Sequence, residues 1–284
     1  MKPALDPAVV RRLVAAALAE DLGDRGDVTT DAVIAEGARA RGFLTARSDL
    51  VVAGLPVARA VFEALDPDAR FEERSADGDE VRRGARIAAV EGSARALLTG
   101  ERTALNFLMR LCGIATAARA AMDEVRGTGA VILDTRKTAP GLRALDKYAV
   151  AVGGASNHRM GLFDAAMVKD THLAVTGDVS ECVARLRAKG LGREDITVEV
   201  GSVEELDRAI AAGAGRALLD NMDADTIRRC VRRAAGRIVL EASGGLRPGT
   251  LRAVAETGVG FLSLGWLTHS APAADLAMDL EPVR

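Results

Sequence analysis

At 284 residues, 49% of them hydrophobic and 27% charged, the chain can bury the core of one large or two ordinary domains, which excludes wholesale disorder, collagen-like repeats and low-complexity character. Its 38 Lys and Arg stand against 40 Asp and Glu, a formal net charge of -2. No global positive field therefore draws it to nucleic acid or to an anionic membrane, and any anion site has to be local.

Taken in chain order, residues 1–21 carry Arg11 and Arg12 inside an apolar stretch, with Glu20 and Asp21 just beyond it. This pattern predicts an amphipathic helix rather than a secretory leader. Strand-like segments follow at 39–45, 50–53 and 87–90, punctuated by Asp77, Gly78 and Gly84, and predict a separate α+β region. Residues 78–84 with 87–91 have the pattern of the hammerhead turn in lipoyl and biotinyl carriers, but no Lys stands there to carry the prosthetic group, so the segment reads as scaffold. Arg102, Asn106 and Arg110 form the polar edge of a further helix.

From residue 130 onward the pattern changes. Short aliphatic runs at 130–133, 166–168, 196–200, 217–219, 238–240 and 259–264 read as buried parallel strands. Ser202 with Glu205 forms a capping box that opens a helix ending near Gly213, and 250–256 followed by Gly258 repeats the pattern. The roughly twenty-residue spacing of the last four strands leaves room for one helix per connection, so right-handed βαβ units in an incomplete barrel are the economical topology. Cys112, Cys182 and Cys230 have no paired spacing and read as buried thiols of a reducing compartment, with neither disulfide nor structural zinc. No apolar run reaches 18 residues, so no membrane span is expected and the cytoplasm is the expected location.

Functional groups of a parallel barrel collect at the strand C-termini. Here those ends read Asp134-Thr135-Arg136-Lys137, Lys169-Asp170, Glu199, Asp220-Asn221, Glu241 to Gly245, and Ser263-Leu264-Gly265. Arg136, Lys137, Arg143, Lys147, His158, Arg159 and Lys169 outnumber Asp134, Asp146 and Asp164 in the same span, a local cation excess suited to a small polyanion. A solvated helix face accounts for Arg143 and Lys147 better than for Arg136 or Lys169. Ser243-Gly244-Gly245 and Ser263-Leu264-Gly265 place small residues where backbone N–H groups approach an anion, as in barrel phosphate sites. Glu199 and Asp220, with Glu241 beyond them, would hold Mg²⁺ or ribose hydroxyls, or would neutralise neighbouring cations, and spacing alone separates none of these. His158, in a flexible polar loop, reads as a poor candidate for a packed core histidine. No helical metal-ligand His pair, Gly-x-Ser-x-Gly elbow or Gly-x-Gly-x-x-Gly turn is present, so zinc chemistry, nucleophilic hydrolysis and dinucleotide binding lack support.

These residues resemble the quinolinate phosphoribosyltransferase family. The matching motifs are Glu20-Asp21-Leu22-Gly23 with Gly26-Asp27-Val28-Thr29-Thr30, Glu101-Arg102-Thr103-Ala104-Leu105-Asn106, Asp134-Thr135-Arg136-Lys137-Thr138, Pro140-Gly141-Leu142-Arg143, Lys147-Tyr148-Ala149-Val150, Asn157-His158-Arg159 and Leu267-Thr268-His269-Ser270, spread over nearly the whole chain. The resemblance implies an α/β fold: an N-terminal α/β-sandwich domain over 1–112, an open TIM-like α/β barrel over 113–269, and a tail, 270–284, packing back on the first. It also implies that quinolinate and 5-phosphoribosyl-1-pyrophosphate (PRPP) give nicotinate mononucleotide, pyrophosphate and CO2 with Mg²⁺ as cofactor.

By the same resemblance Arg136, His158, Arg159 and Lys169 hold the quinolinate carboxylates, Lys137 faces the pyrophosphate, and Glu199 and Asp220 serve ribose and Mg²⁺. Ser243, Gly244, Gly245, Ser263 and Gly265 form the 5′-phosphate loops. Lys137, Lys169, Glu199 and Asp220 are the expected catalytic groups, and Arg102 is expected to reach the neighbouring subunit of a homodimer. Thr171, Gly260 and Trp266 depart from the family pattern. Two rivals remain at this level: a Schiff-base aldolase using Lys169, and a family paralogue with altered substrate.

Overall fold

The computed structural model describes residues 4–283; the start of the helix expected over 1–21 and residue 284 of the expected tail lie outside the described residues. The elements run α1 (Pro7–Leu22), α2 (Val28–Val33), β1 (Arg39–Ala46), β2 (Leu50–Val51), α3 (Leu55–Leu65), β3 (Arg70–Glu73), β4 (Glu80–Val81), β5 (Arg86–Ser93) and α4 (Ala94–Glu124). They continue with β6 (Val131–Leu133), α5 (Arg143–Val152), β7 (Ala166–Val168), α6 (Asp170–Thr176), α7 (Val179–Ala188), β8 (Ile196–Val200), α8 (Val203–Ala211), β9 (Arg216–Asp220), α9 (Ala224–Ala234), β10 (Val239–Ser243), α10 (Leu251–Ala255), β11 (Phe261–Ser263), α11 (Trp266–His269) and β12 (Leu276–Pro282). Two compact units result: residues up to 119 with 138–154 and those from 267 onward, and residues 120–137 with 155–266.

In the first unit, Asp6 caps α1 by accepting from the Ala8 N–H at 2.8 Å, with Pro7 at the first turn where its missing N–H costs nothing. The antiparallel sheet is ordered β12-β1-β5-β3, and β12 pairs with β1 from Ala40↔Pro282 to Ala46↔Leu276. Leu44, Val52, Phe62, Ile87 and Leu97 are fully buried in its core. The sequence reading missed β3, whose Arg-Phe-Glu-Glu run is mostly exposed and lacks alternation, and β12, which only its pairing with β1 defines.

Helix α5 overturns one expectation. Arg143 and Lys147 do not form a solvated face, because Lys147 is only 1% exposed and its neighbour Asp146 is fully buried. Asp146 accepts both Arg110 Nε (2.8 Å) and Nη2 (2.7 Å) in a forked pair and also accepts the Ala139 N–H at 3.0 Å. A stretch that reads as charged helix surface thus carries a fully buried carboxylate paired with a partly exposed guanidinium.

The second unit is a six-stranded, all-parallel sheet ordered β6-β11-β10-β9-β8-β7. Chain-consecutive strands are neighbours and the last strand, β11, also lies beside the first, β6, which is a barrel order with the β6–β7 ladder missing. One isolated bridge, Leu133↔Ser156, stands at that seam. Ser202 caps α8 by accepting the Glu205 N–H at 3.1 Å, as the capping box predicts. Glu124, the last residue of α4, accepts the N–H groups of Gly249 (3.0 Å) and Leu251 (2.7 Å) and so caps α10. Among the described residues no helix is long and apolar enough to cross a membrane, and the three cysteines are buried and free.

Candidate active site at the strand C-termini

Because all six strands run parallel, their C-termini emerge at one end of the second unit. Strand alternation puts Thr197 and Glu199, Arg216, Leu218 and Asp220, Glu241 and Ser243, Phe261 and Ser263 on one face. This face is the barrel interior, since Val131, Leu133, Thr197, Arg216 and Phe261 line a cavity of about 460 Å³ at its N-terminal half. Glu199, Asp220, Ser243 and Ser263 stand nearer the C-terminal rim on that same face.

At the rim, Lys169 Nζ lies 3.0 Å from Glu199 Oε2 across the β7–β8 pair. Asp220 accepts Asn221 Nδ2 at 3.0 Å, and the Asn221 N–H donates to the Ser243 carbonyl at 2.9 Å, tying the end of β9 to the end of β10. Gly244 and Gly245 both have positive φ, and a Cβ on Gly244 would come within 2.4 Å of Asn221 Oδ1, so a glycine is required at that turn. Ser263 is buried at the end of β11, and half-buried Gly265 follows it. Trp266, directly after Gly265, is half-buried at the start of α11.

The loop 155–165 carries the next group. Asp134, fully buried just past β6, accepts Asn157 Nδ2 at 2.6 Å and the His158 N–H at 2.8 Å. The Arg159 guanidinium donates to the Ala165 carbonyl at 2.8 Å. Burial first, and the positive charge of Arg136 second, lower the pKa of Arg159, so two guanidiniums share a partly desolvated region. His158 departs from expectation: its side chain is 11% exposed, and Nε2 lies 3.4 Å from Oε2 of the fully buried Glu241. Glu241 is correspondingly no mouth ligand; it lies inside the barrel, 3.3 Å from Arg216 Nη1. Burial raises its carboxyl, but His158, Ser263 and Arg216 outweigh burial and hold it below its ordinary value.

The second unit thus gathers Arg136, His158, Arg159, Lys169, Glu199, Asp220, Ser243, Gly244, Gly245, Ser263 and Gly265, with Lys137 exposed two residues beyond Thr135, whose Oγ1 accepts its N–H at 3.0 Å. Arg102 belongs to the first unit, at an exposed position on α4. Thr171 is exposed on α6, and the Gly260 carbonyl accepts the Val131 N–H at 2.9 Å. Sequence reasoning left Asp134 without a role and set Glu241 among the mouth carboxylates; an acidic residue at or before a strand end in a cation-rich span is not distinguished by spacing alone from a solvated one. No group of three or more His, Cys, Asp or Glu suited to a metal occurs among the described residues.

Known proteins are similar to this chain over most of its length. The family description "Quinolinate phosphoribosyl transferase, N-terminal domain" matches residues 27–112, and its C-terminal counterpart matches 114–279. A nicotinate-nucleotide pyrophosphorylase (carboxylating) of Mycobacterium leprae is 42% identical over 275 residues, covering 95% of this chain and 96% of its own length. A probable nicotinate-nucleotide pyrophosphorylase (carboxylating) of Bacillus subtilis is 41% identical over 261 residues, covering 92% and 90%. The crystal structure of NadC from Streptococcus pyogenes superposes with a TM-score of 0.94 at 37% identity, covering 99% of this chain and all of that one. On both halves of the chain, the fold and these relatives agree: the protein belongs to the quinolinate phosphoribosyltransferase family.

Proposed function

We infer that the protein transfers the phosphoribosyl group of PRPP to quinolinate with decarboxylation, giving nicotinate mononucleotide, pyrophosphate and CO2 in NAD biosynthesis. The observation that carries this reading is the loop 155–165, which Asp134 fixes through the His158 N–H and which holds the cationic Arg159 beside the end of β6. A guanidinium on a fixed loop suits the carboxylates of a dianion such as a pyridine dicarboxylate. Family membership gives the reaction, and the rim supplies groups for the other substrate.

In this reading Arg136, His158, Arg159 and Lys169 bind the quinolinate carboxylates and neighbouring phosphate oxygens, Lys137 meets the pyrophosphate, and Ser243, Gly244, Gly245, Ser263 and Gly265 hold the 5′-phosphate. The pyridine nitrogen attacks ribose C1 as the C1–O bond to pyrophosphate breaks, and the bonding pair leaves with pyrophosphate. Positive charge develops at C1, so Lys137 and Lys169 on the leaving group and Glu199 and Asp220 beside the ribose lower the barrier by positioning and electrostatics without a covalent nucleophile. The quaternised ring then loses its 2-carboxylate as CO2, the pair remains at C2, and a proton replaces it. Looser binding of the 2-carboxylate than of the 3-carboxylate favours this second step.

Glu199 and Asp220, adjacent-strand carboxylates at the rim, fit Mg²⁺ directly or through water. Two hard oxygen donors without a third suit an ion that keeps several waters and arrives with a diphosphate. When bound, Mg²⁺ neutralises pyrophosphate charge. A homodimer with Arg102 donated across the interface is supported by the exposure of Arg102 and by the apolar Leu162, Phe163 and Val175, which are 75%, 84% and 88% exposed within the second unit. Buried free thiols support a reducing, cytoplasmic setting.

The test is nicotinate mononucleotide formation from quinolinate and PRPP, with and without Mg²⁺, with nicotinate as competitor. Product from quinolinate alone, and only with Mg²⁺, is expected. Silence with both substrates from folded protein would transfer the reading to a paralogue acting on another anion.

A further inference from the structure

The barrel interior holds two charged groups that the reaction does not use, Glu241 and Arg216. Glu241 is fully buried on β10, and the groups facing it are His158 from the loop 155–165, Arg216 from β9 and Ser263 from β11. Arg216 is itself held, its guanidinium 4.6 Å from the centre of the Phe261 ring. On the far side of the His158 ring, Nδ1 accepts the Arg159 N–H at 2.6 Å. A nitrogen that accepts carries no proton, so the ring proton sits on Nε2, the atom directed at Glu241. Carboxylate, imidazole and Arg159 backbone therefore stand in one line of contacts, a 3.4 Å approach of Nε2 to Glu241 followed by the Arg159 N–H bond to Nδ1, running from the barrel core to Arg159.

We propose that Glu241 is a positioning residue for quinolinate: through His158 it fixes the backbone of Arg159 and so the place of the Arg159 guanidinium beside Arg136. The proposal rests on the quinolinate reading above. A purely structural Glu241 would need only Arg216, and replacing such a pair changes stability without selecting between substrates. A carboxylate acting through His158 separates the two substrates, because the Arg159 it fixes is assigned chiefly to quinolinate rather than to PRPP.

The chain has three histidines, so ¹⁵N-histidine NMR resolves each, with His158→Gln assigning the resonance. The wild type is expected to show His158 as the Nε2–H tautomer. In Glu241→Gln that tautomer should become mixed, and KM for quinolinate should rise about tenfold or more while KM for PRPP stays within about twofold. Arg216→Met should lower the melting temperature yet keep the tautomer and the quinolinate KM. An Nδ1–H tautomer in the wild type overturns the proposal even where Glu241→Gln fails to fold. Equal rises in both KM values overturn it too. Quinolinate turnover with the wrong tautomer refutes the role of Glu241 alone, whereas the expected tautomer in a protein that neither binds nor turns over quinolinate refutes the substrate reading and the positioning role with it.

Discussion

Replacing Asp134 by Ala removes the acceptor of the hydrogen bonds from Asn157 Nδ2 at 2.6 Å and from the His158 N–H at 2.8 Å. Hydrogen bonds to a charged acceptor contribute roughly 1.5–3 kcal/mol each. Asn157 is exposed and regains water, so the loss expected is about 2–4 kcal/mol rather than the full sum. At about 2–4 °C per kcal/mol for a chain of this size, the melting temperature of Asp134→Ala should fall by about 5–15 °C. The backbone bond from the Asp134 N–H to the Ser156 carbonyl, 3.1 Å, survives, so the seam stays closed there while the loop beyond it loosens. Below the melting range, steady-state kinetics with each substrate varied in turn should show a higher KM for quinolinate and little change for PRPP. Asp134→Asn keeps one acceptor and should fall about midway. An unchanged melting temperature would refute the energetic argument; a lower one with an unchanged quinolinate KM would show that this carboxylate stabilises the unit without placing the loop.

Two further predictions concern the first unit. Asp27 accepts the N–H groups of Thr29 (3.2 Å) and Thr30 (2.9 Å) at the start of α2 and the Thr99 hydroxyl at 3.1 Å, so Asp27→Ala should cost about 1 kcal/mol in thermal or denaturant unfolding. Bonds to Thr30 chiefly hold its carboxyl below the ordinary value of 3.8; the stabilisation is therefore complete above that pH and vanishes as pH falls through the lower folded value, and the gap between wild type and Asp27→Ala should close on acidification. A gap that widens in acid would sink the assignment. A Cβ on Gly113 would lie 2.1 Å from the Pro272 carbonyl oxygen, so Gly113→Ala should destabilise by about 1–3 kcal/mol and raise amide exchange in β12, whereas neutral behaviour would show that the 272–274 segment yields freely.

The sequence made the second unit legible because each of its strands is a short apolar run followed by a charged or Gly/Ser end, and both features survive into the structure at β6 to β11. It was less informative where a residue's meaning depends on a distant partner. Lys147 and Asp146 look like helix-surface charges in one dimension, and only the forked bond from Arg110, 36 residues away, accounts for the burial of Asp146. β3 lacks alternation because its side chains are mostly exposed, and its strand identity comes entirely from pairing with β5. His158 reads as a solvated loop residue because the Gly153-Gly154 and Ser156-Asn157 context is polar, yet the bond of Asp134 to its N–H holds that loop beside β6 and the ring meets Glu241.

The missing β6–β7 ladder and the polar barrel interior are two sides of one arrangement. A closed parallel barrel fills its centre with layers of branched apolar side chains. Here the inward face carries Thr197, Arg216, Glu241 and Ser263, and a buried carboxylate of that kind persists only with charged or donating partners on more than one side. Arg216 supplies one side, but the other partner, His158, comes from no strand; it comes from the loop 155–165, which meets the sheet at the seam through Leu133↔Ser156. A strand that completed the β6–β7 ladder would displace this loop and leave Glu241 with Arg216 and Ser263 but without its partner from the loop. The open seam and the buried Glu241 are therefore linked, since the loop that meets the sheet at the seam is the loop that carries His158 to Glu241.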